Sequence, residues 1–335
     1  MEHRPATPAR PGTSSDVLLF FLPSFIWGTT WLAIKFQLGV VAPEVSVAWR
    51  FALASALLLA WCFVRRVPLR FTARDHGRLL LLGLLLFGLN YVLVYRAEQH
   101  LASGLVAVVF SFLVFWNLIG ARLFFGTPAP PAVVGGAVLG VAGVALLFWP
   151  EVTSLRAGGG EARGLVLALV ATLFASAGNL YSQRLFTAGM RVVPATAIAM
   201  GYASLSVMVW CGVSGIPFTF DARPAYVLSL VYLALFGSIV AFVSFLTLIT
   251  RIGAGRSGYT AAVIPLLAMA ASTALEGYRW SAAPAVGMLL VLGGTVLVLR
   301  AKERAMGPLP DRPVRAGEAG RRRDGESQDE ELPTC

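Results

Sequence analysis

The chain has 335 residues, 57% of them hydrophobic and only 13% charged, against about 25% charged in soluble domains; one soluble core of this size cannot hide so much apolar surface, and disorder needs the opposite composition. Cys62 and Cys211 lie inside apolar runs and leave only Cys335, which excludes a disulfide scaffold. The net charge of +10 is spread between and after apolar runs rather than gathered in one patch, which fits membrane orientation better than nucleic-acid binding.

A polytopic, all-α membrane protein remains. A span needs about 20 mainly apolar residues, and ten runs qualify: 17–37, 44–63, 78–97, 101–124, 131–149, 164–186, 194–213, 225–249, 256–276 and 283–301. The runs are continuously apolar and lack the alternation of a membrane barrel. Residues 1–16 carry Pro5, Pro8, Pro11, Arg4 and Arg10 and read as a disordered polar tail. The next run has no small-residue cleavage site and reads as the first span, not a signal peptide. Residues 302–335 mix both charges with Pro and Gly and read as a second disordered tail.

The polar residues within these runs fall on faces. In the first, Ser24, Trp27, Gly28, Trp31 and Lys35 share one side at helical spacing. The stripe suits a cavity wall, though a lysine at a span end also snorkels to the interface. In the second, Arg50 lies some way into the membrane, where a charge is a functional hypothesis by default. Its expected partners are substrate, Glu98 or Glu276. In the third, Gly88, Tyr91, Tyr95 and Glu98 share a face. The tyrosines offer stacking surface with a hydrogen-bonding tip or belong to an aromatic belt. Glu98 is the first-half carboxylate best placed for proton coupling, or it pairs with Arg96. The sixth run carries Thr172, Ser176, Asn179 and Gln183 on one face. Such groups avoid lipid; they bind substrate or bridge helices. Asn90 and Asn117 read as helix glue. Glu276 reads as an anchor closing the ninth run. Glycines 135, 136, 140 and 143 suit close packing in the fifth, and the fifth and tenth are expected to brace the bundle or face a partner.

With the N-terminus inside, 20 of the 27 basic residues face the cytoplasm, and the other side keeps Lys35, Arg50, Arg96, Arg156, Arg163, Arg223 and Arg279. Both termini are therefore expected in the cytoplasm. The halves, 17–149 and 164–301, also resemble each other at a steady offset: Gly28 with Gly178, Pro43 with Pro194, Phe87-Gly88 with Phe236-Gly237, Gly136 with Gly287, and Gly143 with Gly294. Five spans per half is an odd number, so the second half enters inverted. That is the signature of many secondary transporters, with the site at the repeat interface.

FIWGTTWLAIK at 25–35, Pro43 with Trp49-Arg50-Phe51, NYVLVYRAEQHLASGLVAVVFS at 90–111 and TAAVIPLLAMAASTALEGYRW at 260–280 resemble the EamA family of the drug/metabolite transporter superfamily, over roughly residues 17–300. Two family features are absent from the first half. No proline stands in 110–116, and Phe125-Gly126-Thr127-Pro128 replaces the acidic end of that span; Pro265 and Glu276 keep both in the second half. The resemblance implies a secondary carrier that exports small metabolites or drugs and leaves the substrate open.

There is no GxxxxGK[ST] loop, GxSxG or HExxH, and His3, His76 and His100 are scattered. No cofactor, metal, nucleic acid or enzymatic activity is expected. The reading is a ten-helix carrier of the cytoplasmic (inner) membrane, working by alternating access and driven by a proton or a counter-substrate. The substrate site is expected at Trp27, Trp31, Lys35, Arg50, Tyr91, Tyr95, Ser176 and Asn179, with Glu98 for coupling. A passive facilitator of the same fold and a non-transporting scaffold or sensor are the alternatives.

Overall fold

The computed structural model describes residues 14–125, 131–147, 160–257 and 260–306. The remainder of the two expected tails, and the Gly126-Thr127-Pro128 departure, lie outside these residues. The described residues form helices and no strand: α1 (Ser14–Lys35), α2 (Pro43–Val64), α3 (Ala73–Gly83), α4 (Asn90–Glu98), α5 (Ser103–Phe110), α6 (Leu113–Phe125), α7 (Pro131–Leu147), α8 (Gly160–Thr187), α9 (Val192–Val213), α10 (Pro224–Tyr232), α11 (Ala241–Ser257), α12 (Thr260–Leu275) and α13 (Ala282–Met306). A π-helical stretch, Leu84–Leu89, joins α3 to α4, and another, Leu233–Val240, joins α10 to α11. Among the described residues, seven helical stretches are long and apolar enough to cross a bilayer, and Pro131–Leu147, Val263–Leu275 and Ala282–Val298 are shorter apolar helices. The protein is a polytopic helical membrane protein. Helix α1 begins at Ser14 and α13 runs to Met306, so both helices reach a few residues into segments expected as tails.

Local chemistry sets the helix ends. Pro43 and Pro224 open α2 and α10, where a missing N–H costs nothing. Thr72 and Asp75 form a capping box at the start of α3: the Thr72 hydroxyl accepts from the Asp75 amide at 3.2 Å, and the Thr72 amide donates to Asp75 at 3.3 Å. Helix α2 closes with the Val67 amide donating to the Cys62 carbonyl at 2.8 Å across Arg66, which sits at φ 52°. Helix α9 closes alike, with Ile216 donating to Cys211 at 2.9 Å across Gly215 at φ 67°. This closure favours glycine; Arg66 adopts it at a steric cost.

Packing interleaves the two halves. Helix α1 packs on α11 and α12, while α8 packs on α4 and α6. Helix α2 packs along α9, where Ser55 donates to the Ala197 carbonyl and Ser204 to the Ala48 carbonyl, both at 2.8 Å. Contacts on α9 retreat from 204 to 197 as α2 advances from 48 to 55, so these helices run antiparallel. Buried Ala48, Ala54, Ala195, Ala199 and Ala203 allow the close approach.

Helices α7 and α13 meet in the same sense. A Cβ on Gly136 would stand 2.6 Å from the Gly294 carbonyl oxygen, and one on Gly143 2.7 Å from that of Gly287. Contacts again advance on one helix and retreat on the other. This close backbone contact explains Gly136, Gly143, Gly287 and Gly294, while Gly140 makes room for the Phe115 ring. The contact also gives the fifth and tenth runs each other as partners.

Candidate functional site

A cavity of about 100 Å³ lies where α1, α4, α5, α8, α11 and α12 converge. Trp27, Trp31, Tyr91, Asn179, Phe110 and Phe242 are among its lining residues. Trp27 is held edge-on by Phe242 and Phe245, each with ring centroids 5.0 Å away, and its Nε1 donates to the Gly237 carbonyl at 3.2 Å. Trp31 meets Phe110 at 4.9 Å. Its Nε1 and the Asn90 Oδ1 are buried with no hydrogen-bond partner among the described residues. None of the lining residues carries a charged side chain.

Behind this wall, Arg50 is fully buried. Its Nε donates to Ser238 Oγ at 2.9 Å, its Nη1 reaches the Tyr95 hydroxyl at 3.5 Å, and its guanidinium lies 4.5 Å from the centre of the Tyr91 ring. The π-helical stretch makes this arrangement possible. Extra residues in the turn present the Gly237 carbonyl to Trp27, and Ser238 itself donates to the Leu233 carbonyl at 3.0 Å. Such π insertions recur at functional sites. The Arg50 Nη2 has no partner, and among the described residues no carboxylate lies at ion-pair distance from it. Arg50 is thus built into a tyrosine–serine nest, and the expected contact with Glu98 or Glu276 is absent.

Lys35 lies outside the cavity lining. Its Nζ donates to the Glu98 and Leu101 carbonyls, both at 2.6 Å, and so places a cation at the C-terminal end of α4. Glu98 is completely buried, and neither carboxylate oxygen has a hydrogen-bond partner. The expected Arg96–Glu98 pair does not form. Arg96 instead pairs with Glu44 at the start of α2, because residues two apart on a helix point to nearly opposite sides. Glu276 Oε2 accepts from the Ser103 amide at 3.1 Å, the Ser103 hydroxyl at 2.8 Å and the Ser272 hydroxyl. It therefore ties the end of α12 to the start of α5.

The stripe on α8 divides. Ser176 donates to Asn117 at 2.8 Å, and Thr172 accepts from Trp116 Nε1 at 3.1 Å, so both bridge to α6. Asn179 reaches the cavity. Of the eight expected substrate residues, the structure brings Trp27, Trp31, Tyr91 and Asn179 to one cavity and sets Lys35, Arg50, Tyr95 and Ser176 around it. The phenylalanines at 110, 242 and 245 went unread, because an aromatic inside an apolar run carries no mark in one sequence. Asn90, read as helix glue, donates to the Leu86 carbonyl at 3.1 Å and also lines the cavity.

A helical bundle with apolar, membrane-length helices around a small aromatic cavity defines the class: a polytopic helical membrane protein. The EamA-like transporter family matches residues 14–149 and again residues 162–300, and the chain belongs to that family. It is 29% identical over 282 residues to the uncharacterized inner membrane transporter YedA of Escherichia coli strain K12, covering 83% of this chain and 88% of YedA. It is 22% identical to the protein PagO of Salmonella typhimurium over 85% of this chain and 93% of PagO. A solved crystal structure shares the fold, with a TM-score of 0.62 and 21% identity over 88% of this chain and all of its own.

Proposed function

We propose that the protein is a secondary carrier of the cytoplasmic (inner) membrane. It exports a small polar or amphipathic metabolite by alternating access between two inverted five-helix repeats. The cavity carries this reading, because its lining comes from both halves: Trp27, Trp31, Tyr91 and Phe110 from one, Asn179 and Phe242 from the other. Five further observations support the repeat. The family matches the chain twice. Gly136 meets Gly294 and Gly143 meets Gly287, so the pairs that stand 151 residues apart in the sequence, Gly136 with Gly287 and Gly143 with Gly294, exchange partners across the contact. The π-helical stretches start 149 residues apart, at Leu84 and Leu233. The helix closures at Arg66 and Gly215 keep that spacing. The antiparallel course of α2 against α9 and of α7 against α13 is what inverted halves require. Ten spans follow when the three shorter apolar helices cross with the seven long ones.

Orientation rests on the basic residues. Arg70 and Arg78, on the α2–α3 side, meet Arg184 and Arg191, from the α8–α9 turn, around one pocket. All four belong to the set assigned to the cytoplasm, so both termini lie inside. Glu98 is the coupling candidate. It is buried with neither carboxylate oxygen hydrogen-bonded, the Lys35 ammonium sits beside it on its own main-chain carbonyl, and such a carboxylate can link proton binding to the switch between states. The uncharged cavity lining favours, as a second reading, a facilitator or exchanger without a proton.

Purified protein in proteoliposomes, screened with radiolabelled metabolites with and without a pH gradient, tests the proposal. Saturable uptake accelerated by the gradient, with the acceleration lost in Glu98→Gln, is expected. Retained acceleration in that variant removes Glu98 from coupling. Uptake indifferent to the gradient selects the facilitator or exchanger, and no saturable flux of any solute overturns the carrier.

A further inference from the structure

A second pocket, of about 700 Å³, shares no lining residue with the central cavity. Arg70 and Arg78 line it from the α2–α3 side, and Arg184 and Arg191 from the end of α8 and the turn that follows. One carboxylate, Asp75, stands among them and is already engaged: it accepts from the Thr72 hydroxyl at 2.7 Å and pairs with Arg78 at 3.0 Å. The side chains of Arg70, Arg184 and Arg191 have no hydrogen bond or ion pair to any described residue. All three are exposed and border one concavity, which makes it a concentration of positive charge.

The treatment of Arg96 and Arg223 is different. Arg96 pairs with Glu44, and Arg223 Nε donates to Asp221 at 2.7 Å. Arg223 thereby holds the Asp221 carboxyl below the usual carboxylate range. Two local features frame the pocket. The capping box at Thr72 sets the start of α3, and Gly189, at φ 97°, turns the chain between Arg184 and Arg191. Phe71 and Leu185 add apolar wall beside the arginines. Planar guanidinium groups match phosphate oxygens in pairs, and basic pockets between membrane helices suit acidic head groups.

We infer that this pocket binds a phosphate-bearing anion through Arg70, Arg184 and Arg191. Two sources share that chemistry: the head group of an anionic phospholipid and a soluble organic phosphate. Native mass spectrometry of the full-length protein in neutral detergent, with equimolar phosphatidylglycerol and phosphatidylcholine, tests the first. Thermal unfolding with millimolar glycerol 3-phosphate tests the second.

For a lipid, wild type retains one phosphatidylglycerol in preference to phosphatidylcholine, and Arg70→Gln/Arg184→Gln/Arg191→Gln retains at least tenfold less. The control Arg65→Gln/Arg74→Gln, which removes two basic residues outside the pocket lining, binds like wild type. For a soluble phosphate, the ester raises the unfolding temperature of wild type and not of the triple variant. If the triple variant does not fold, the single variant Arg191→Gln must still show weaker retention or a smaller shift. Equal binding by wild type and the pocket variants, or equal loss in the control, overturns the inference, as does a wild type that responds to neither probe.

Discussion

Arg50 shows how a buried cation can be held without a counter-ion. Its charge is spread over a flat guanidinium that Ser238 and Tyr95 contact at the edge and Tyr91 on the face. Arg50→Lys keeps the charge and loses the planar fork. We expect a folded but weakened protein, by about 1–3 kcal/mol, with transport reduced tenfold or more in vesicles normalised for protein. The α8 stripe gives a sharper contrast. Ser176→Ala removes a bridge to Asn117, a bond of the kind that contributes about 0.6 kcal/mol in membranes, and should leave transport near wild type. Asn179→Ala and Trp31→Ala alter the cavity wall and should lower transport while folded protein still reaches the membrane. Similar losses at 176 and 179 would show that the whole stripe serves one purpose.

Helical spacing alone put Trp27, Trp31, Tyr91 and Asn179 on inward faces. It could not separate Ser176 from Asn179, since both lie on one side of α8 and only the positions of α6 and α11 decide which meets a neighbour and which meets the cavity. Nor could it choose between Arg96 and Glu98 as partners, because Glu44 enters from another helix.

At the scale of elements, glycine and small residues control how closely helices approach. Gly143→Leu would drive a side chain into the α13 backbone near Gly287 and Val291. The expected result is loss of folded protein in detergent, read by size-exclusion chromatography. Substitution at Gly293, whose Cβ would meet nothing within 4 Å, should be tolerated. The closure of α2 offers the opposite test. Arg66 occupies a left-handed position that its counterpart fills with Gly215. Arg66→Gly should stabilise the protein by up to about 1 kcal/mol, read as a raised unfolding temperature, the gain being limited by the entropy of the freed glycine. The sequence announced the glycine-rich run and the paired Phe-Gly dipeptides. It did not announce the π-helical geometry around those dipeptides, because that geometry depends on what Gly237 and Ser238 meet across the bundle.

At the scale of the whole molecule, a membrane bundle of the EamA-like transporter family holds a cavity lined from both halves of the chain. The basic residues predict its sense of insertion. A cysteine at position 71 should react with an impermeant reagent from the cytoplasmic side, and one at position 157 from the outside; the opposite pattern would reverse the orientation. The carrier reading requires more, namely that one position in the cavity be reached from each side in turn. The most direct measurement uses Asn179→Cys in a chain with Cys335→Ser, leaving the buried Cys62 and Cys211 in place. An impermeant thiol reagent is added to right-side-out and to inside-out vesicles. The account predicts labelling of position 179 in both preparations and protection by a transported solute; labelling from one side only, or from neither, would contradict alternating access.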